Sequence, residues 1–223
     1  MEEKIQDNLI NLFSRNRLNS YRFDINDNYD TVLKRYLYNI EVSKSLYPLL
    51  SILEISLRNR LNQAIETTVK QDWLLKELQQ QDILQSNEYK KLSDAKEKLL
   101  KKGHINIYKD DLIAELSLGF WIHLCSKRYK AKLWHVNRFF RIVFADYPNF
   151  SEFDKINKVF PHLQLMLKLR NRIFHHEIII NHPYGIANCY NDLRKLLGYI
   201  SKDSLTYLDI ICDFNKILTK QKP

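Results

Sequence analysis

Residues 48–65, PLLSILEISLRNRLNQAI, carry apolar side chains at Leu49, Leu50, Leu53, Leu57, Leu61 and Ile65. Steps of three and four residues set these on one face of an α-helix, whereas a strand would need strict alternation. The same spacing recurs along almost the whole chain. Glycine and proline, the residues that close hairpins and break helices, number only four and five in 223 positions. The expected class is therefore all-α. No tract rich in Pro, Gly or Ser separates one part from another, which points to a single compact helical domain over residues 1–223.

Working outward, a short helix is expected over residues 5–13, followed by a turn through Arg17 capped by Ser14. Asp27 is placed to cap a long helix carrying Val32, Leu33, Tyr36, Leu37, Ile40 and Leu46, which Pro48 breaks or restarts. Residues 79–102 are polar and lysine-rich and read as one exposed helix ended by Gly103. Asp110 or Asp111 then caps a helix running through Leu116 to Leu124. Gly119 in its interior costs about 1 kcal/mol relative to alanine, and close approach of a neighbouring helix is its expected compensation. A helix over residues 133–144 stops at Pro148. Pro161 opens the next, Pro183 and Gly185 close it, and helices over 186–200 and 204–218 complete the chain.

A mixed composition, 45% hydrophobic and 27% charged, is that of an ordinary globular protein. The net charge of +9 favours anionic partners without choosing among nucleic acid, membrane and acidic protein. Cys125, Cys189 and Cys212 are scattered and odd in number, so neither a disulfide framework nor a zinc knuckle can be drawn. They read as small buried hydrophobes of a reducing compartment. The acidic start Met1-Glu2-Glu3-Lys4 lacks an apolar signal stretch, and no run approaches the roughly 18 apolar residues of a membrane span. A cytoplasmic protein without membrane attachment is expected.

The chemistry concentrates in Leu169-Arg170-Asn171-Arg172-Ile173-Phe174-His175-His176-Glu177. Arg170 falls inside the apolar stripe of Leu163, Met166, Leu167, Ile173 and Phe174, so it points toward the core or a subunit interface. There its charge must be paired or bind an anion. His175 and His176, beside Glu177, titrate near neutral pH. Histidine can deprotonate a ribose 2′-OH or protonate a leaving 5′-oxygen, while arginine holds the phosphate and its growing charge. The plainer reading is an arginine paired with a carboxylate and two histidines at a helix C-terminus, where the dipole favours cations. The residues alone leave that structural pairing slightly ahead. A metal site is not expected: adjacent histidines lie about 100° apart on a helix and no partnering motif accompanies them. Geometry raises a difficulty, since positions 170 and 175 differ by about 140° on a regular helix. Convergence requires a loosened helix near Phe174, an arginine that reaches around, or two chains.

The string from Leu169 to Glu177 resembles the C-terminal motif of the Abi-like (abortive infection) family of HEPN proteins, with R-x4-6-H spacing from Arg170 to His175 or His176. Tyr36-Leu37-Tyr38-Asn39-Ile40 with Leu53-Glu54-Ile55-Ser56-Leu57-Arg58-Asn59 resembles its N-terminal helices. Leu116-Ser117-Leu118-Gly119-Phe120-Trp121, followed by Leu133-Trp134, resembles its central segment, so the likeness spans residues 14–200. One departure is Ile178-Ile179 where the family often has proline, a change expected to lengthen the motif helix. The resemblance implies a HEPN-type helical bundle with additional helices that dimerises so that two motifs share a cleft. It further implies a metal-independent endoribonuclease without cofactors, acting on RNA in phage defence or as a toxin held by an RNA or protein antitoxin. Carried over, Arg170 and His175 are the catalytic pair, supported by Asn171 and His176. An alternative is a non-catalytic HEPN module that binds RNA or protein in a two-component system, and a third is a protein that only dimerises.

Other residues support these readings. Glu54 and Arg58, four apart, could form a surface pair contributing about 0.3–0.5 kcal/mol; alternatively Glu54 reaches inward and orients Arg170 or Arg58. Glu177 is a further supporting candidate. Arg-Asn-Arg occurs at residues 15–17, 58–60 and 170–172, too short a match to argue duplication. Two basic stretches could guide RNA. One runs from Lys90 to Lys102; the other comprises Lys127, Arg128, Lys130, Lys132, Arg138 and Arg141, with Tyr129, Trp134 and His135 interleaved for stacking on unpaired bases. Phe120, Trp121, Phe139 and Phe140 are expected in the core.

Overall fold

The computed structural model describes residues 3–151 and 154–219, and every regular element among them is helical. Its axis is α3 (Tyr29–Thr68), 40 residues or about 60 Å long. The stripe that decides the class packs as expected: Leu46, Leu49, Leu53, Leu57, Leu61 and Ile65 are fully buried. Pro48 neither breaks nor restarts the helix but lies inside it. Proline removes the hydrogen bond to the carbonyl four residues back, here that of Lys44, which is exposed. Asn28, not Asp27, caps the helix, its Oδ1 accepting from the Thr31 amide at 2.9 Å. Asp27 instead closes the preceding turn, accepting from the amides of Phe23 and Asp24 and pairing with Arg35.

Before α3, α1 (Glu3–Phe13) and α2 (Arg15–Asn19) pack on its beginning, and Ser14 caps α2 as expected. Beyond it, α4 (Trp73–Gln79) and α5 (Ser86–Lys101) follow. The lysine-rich helix is shorter than residues 79–102 and amphipathic, burying Leu92, Ala95 and Leu99. Gly103 ends it at φ 92°: its amide bonds Leu100 and that of His104 bonds Leu99, a Schellman turn.

The expected continuous helix over 110–124 is two, α6 (Lys109–Glu115) and α7 (Leu118–Leu124). Leu116 and Ser117 are extended, and Leu116 is buried between the two helices. Gly119 therefore sits in the first turn of α7 rather than in a helix interior, and a Cβ there would meet only Ser117 Oγ at 3.8 Å. No close helix approach requires this glycine. Likewise the expected helix over 133–144 is reduced to the short α8 (Phe139–Val143), preceded by a 3₁₀ turn (Lys127–Tyr129) and a π turn (Lys130–Trp134). Then come α9 (Lys155–Phe174), α10 (Ile186–Ile200), α11 (Asp203–Ile211) and α12 (Phe214–Thr219). The helix expected over 204–218 is thus divided at Cys212, and α9 starts six residues before Pro161.

Helices α7 to α12 gather around α3. They enclose the main core, which includes Phe120, Trp121, Phe139 and Phe140. A second cluster, of Ile10, Leu18, Tyr21, Val32 and Leu33, joins α1 and α2 to the start of α3, with Ile178 packed against it. Cys125 and Cys189 are buried and Cys212 half-buried, all as free thiols; burial pushes the Cys125 thiol far above its usual range. Among the described residues no helix is long and apolar enough to cross a membrane.

One buried charge organises the loop after α4. Glu77 is fully buried, and its carboxylate accepts from the amides of Asp82, Ile83 and Leu84. Three amides lose their acceptor if it is removed. Glu77→Ala is expected to destabilise the fold by about 3 kcal/mol in urea unfolding; a loss under 1 kcal/mol would contradict this role.

Candidate functional site

The motif helix α9 ends at Phe174, just before the two histidines. The His176 amide bonds the Ile173 carbonyl at 3.0 Å and the Glu177 amide bonds that of Arg172 at 2.8 Å, again a Schellman turn. His176 occupies the left-handed position at φ 56°, where glycine usually sits. In place of the usual apolar contact across such a turn, Arg172 Nε meets Glu177 Oε2 at 3.4 Å. Arg172 also donates to the Ile178 carbonyl, and Arg17 of α2 donates to that of His176. Ile178 and Ile179 do not lengthen the helix. Ile179 is fully buried in the main core, and Ile178 packs on the second cluster, so the chain is drawn across the bundle instead.

Asn39 fixes that crossing. It is 4% exposed, and its Oδ1 accepts from the Ile179 and Ile180 amides at 2.8 and 3.3 Å. Its Nδ2 lies 3.3 Å from the Glu177 carbonyl and 3.2 Å from the Tyr21 hydroxyl, donating to both. Sequence reasoning did not single out this residue or Arg17. The available signal was a polar side chain on the buried face of α3, between Val32 and Val42.

Arg170 is not driven into the core; its side chain is 32% exposed. Its Nε lies 3.6 Å from Glu54 Oε2, an ion pair beyond hydrogen-bond distance, and that Nε has no hydrogen-bond partner. The guanidinium stacks on Phe174 at 4.5 Å, and Nη1 comes within 3.5 Å of Asn171 Oδ1. Glu54 therefore does reach Arg170, at the surface rather than in the interior. A half-exposed pair of this kind contributes at most about 1 kcal/mol. Glu54 shares a groove of about 190 Å³ with Arg58, Tyr47, Ile55 and Phe174. Arg58 Nε is buried there without a hydrogen-bond partner. Asn171, His175, His176 and Glu177 are exposed. Of the three Arg-Asn-Arg segments, Arg17 meets the turn after α9 at the His176 carbonyl, while Arg58 lies further along α3 in the groove beside Glu54.

The groove opens onto one stripe of α3. Leu37, Ile40, Tyr47 and Ile55 are each more than 40% exposed, recur at helical spacing, and continue onto Phe174. The basic stretches differ from expectation. Tyr129 and Trp134 are 1% and 7% exposed, so neither presents its ring for stacking as an open platform. Lys130 pairs with Asp154, and Lys132 donates to the carbonyls of Asp82 and Ile83. Lys127, Arg128 and Arg138 remain exposed. In the first stretch Lys98 and Lys102 pair with Glu115, and Lys101 with Glu97. Among the described residues no group of three His, Cys, Asp or Glu is arranged to hold a metal ion.

Compared with family models, curated proteins and solved structures, the chain gives no match in any of the three.

The left-handed backbone at His176 separates its role from that of His175. His176→Gly is expected to stabilise the protein by about 1 kcal/mol in urea unfolding, because glycine adopts φ 56° without steric cost. His176→Val should destabilise it. Equal stability of both variants would contradict a backbone role for this position.

Proposed function

We propose that this protein is a metal-independent endoribonuclease of the HEPN, Abi-like type. The observation that carries the reading is an always-charged arginine stacked on Phe174 and aimed toward the end of the helix on which an exposed histidine follows. The Arg170 side chain is 32% exposed beside the groove that Glu54 and Phe174 line, and among the described residues the exposed His175 side chain has no hydrogen bond or ion pair. In the proposed reaction His175 takes the proton of a ribose 2′-OH or returns one to the leaving 5′-oxygen. Attack of the 2′-oxygen on phosphorus then forms a cyclic phosphate and releases the 5′-hydroxyl. Arg170 binds the phosphate and offsets its added charge. Asn171 orders the guanidinium, and Glu54 holds it from the other side.

The helix is regular up to Phe174, so loosening does not bring Arg170 and His175 together. Composition of the site from two copies remains the economical solution. Its support is the exposed apolar stripe of Leu37, Ile40, Tyr47 and Ile55, contiguous with Phe174, which a second copy would cover. RNA as substrate, a homodimer, control by an RNA or protein antitoxin, and a role in phage defence belong to this reading, as does a cytoplasmic location. A second reading, a binding module without catalysis, is favoured by the Arg170–Glu54 pair, since a structural arginine would be tied in the same way.

Purified protein incubated with mixed RNA in excess chelator is expected to cleave it. His175→Ala and Arg170→Ala should each lower the rate by about 100-fold or more. Absence of cleavage by the wild-type protein, or equal cleavage by the variants, would overturn the nuclease reading in favour of the binding module.

A further inference from the structure

At the other end of α9 lies a cavity of about 480 Å³, within the range of roughly 300–1,000 Å³ typical of small-molecule sites. The helix rise puts it about 28 Å from the motif, too far to belong to the same site within one chain. Its walls carry Arg138, Arg141 and His135 among the rings of Trp134, Phe140 and Phe150. Arg138 is exposed, and its side chain has no hydrogen bond or ion pair among the described residues. Its backbone is left-handed at φ 68°, a conformation that costs a non-glycine residue energy and is held by its surroundings. Arg141 is set in place by stacking on Phe150 at 4.7 Å. Lys155 is held over Phe140 at 5.4 Å and donates to the Phe150 carbonyl. Among the described residues the one acid of the lining, Asp154, is neutralised by Lys130 at 2.9 Å.

We propose that this cavity binds a nucleotide, with the phosphate on Arg138 and Arg141 and the base against His135 and Phe150, the more open rings of the lining. Arginine forks match phosphate geometry, and a ring-lined cavity takes the flat face of a base. A purely apolar ligand would leave the N–H donors of Arg138 and Arg141 unused, and inorganic phosphate would leave most of the cavity unfilled. The nucleotide is either free or one unit of single-stranded RNA, the same chemistry from two sources. The site is independent of the nuclease reading, because binding is measured without cleavage.

Titration calorimetry with adenosine 5′-monophosphate on the full chain tests it. Arg138→Gly removes the guanidinium while suiting φ 68°, so loss of the fold through strain is avoided. Binding of the nucleotide by the wild-type protein, weakened about tenfold or more by Arg138→Gly and by Arg141→Ala, is the expected result. If an RNA unit is the natural occupant, the nucleotide competes with unstructured RNA and both substitutions weaken RNA binding. If a free nucleotide is, RNA binding is unaffected by either. Failure of the nucleotide to bind, or equal binding by wild type and both variants, would overturn the proposal.

Discussion

Asn39 uses both ends of its side-chain amide on the chain leaving the motif helix, and it does so from the buried face of α3. Two amides donate to its oxygen, and its nitrogen donates to the Glu177 carbonyl and the Tyr21 hydroxyl. A buried polar group without such partners would destabilise the core, so the crossing of residues 177–180 and the position of Asn39 require each other. That crossing forces α9 to end. A helix continuing past Phe174 would carry Ile179 away from the core in which it is fully buried. His176 then takes the left-handed turn, and His175 is left at the exposed helix end. The geometry of the candidate site thus follows from one asparagine on a different helix.

The other half of the site depends on α3 as well. Its inner face builds the core, while its outer stripe carries Glu54 to Arg170 and presents Tyr47 and Ile55 beside Phe174. Because Glu54 and Arg170 are only partly covered, their attraction is screened by water. The stack on Phe174 and the packing of α9 against the bundle do more to hold the guanidinium than the ion pair does. A second copy over this stripe would remove water from the pair and strengthen both its cohesion and its field.

Much of the fold was legible because helical spacing is a direct record of burial. The Leu49–Ile65 stripe, the Ser14 cap, the Gly103 stop and the helix over 186–200 all follow from local chemistry. The misreadings share a cause. Pro48 looks like a break and Pro161 like a helix start, yet each sits inside a helix with an exposed residue four positions earlier, Lys44 and Asn157, whose freed carbonyls lie at exposed positions. Leu116 fits a helical stripe but packs from an extended backbone, which periodicity does not distinguish. Tyr129 and Trp134 read equally well as stacking platforms or core, and only tertiary packing decides. At the site, Arg170, Glu54 and the histidines were visible as residue types. The turn that places them depends on Asn39 and Arg17, which lie more than 130 residues away in sequence.

In the proposed composite site, Arg170 and His175 serve one phosphate from two copies of the chain. Mixing two separately inactive proteins, Arg170→Ala and His175→Ala, tests it directly in an RNA cleavage assay after the subunits have exchanged. Each mixed dimer would rebuild one intact site, and mixed dimers form half the population. Recovery of about a quarter of wild-type activity is expected. Activity no greater than that of either variant alone would contradict it.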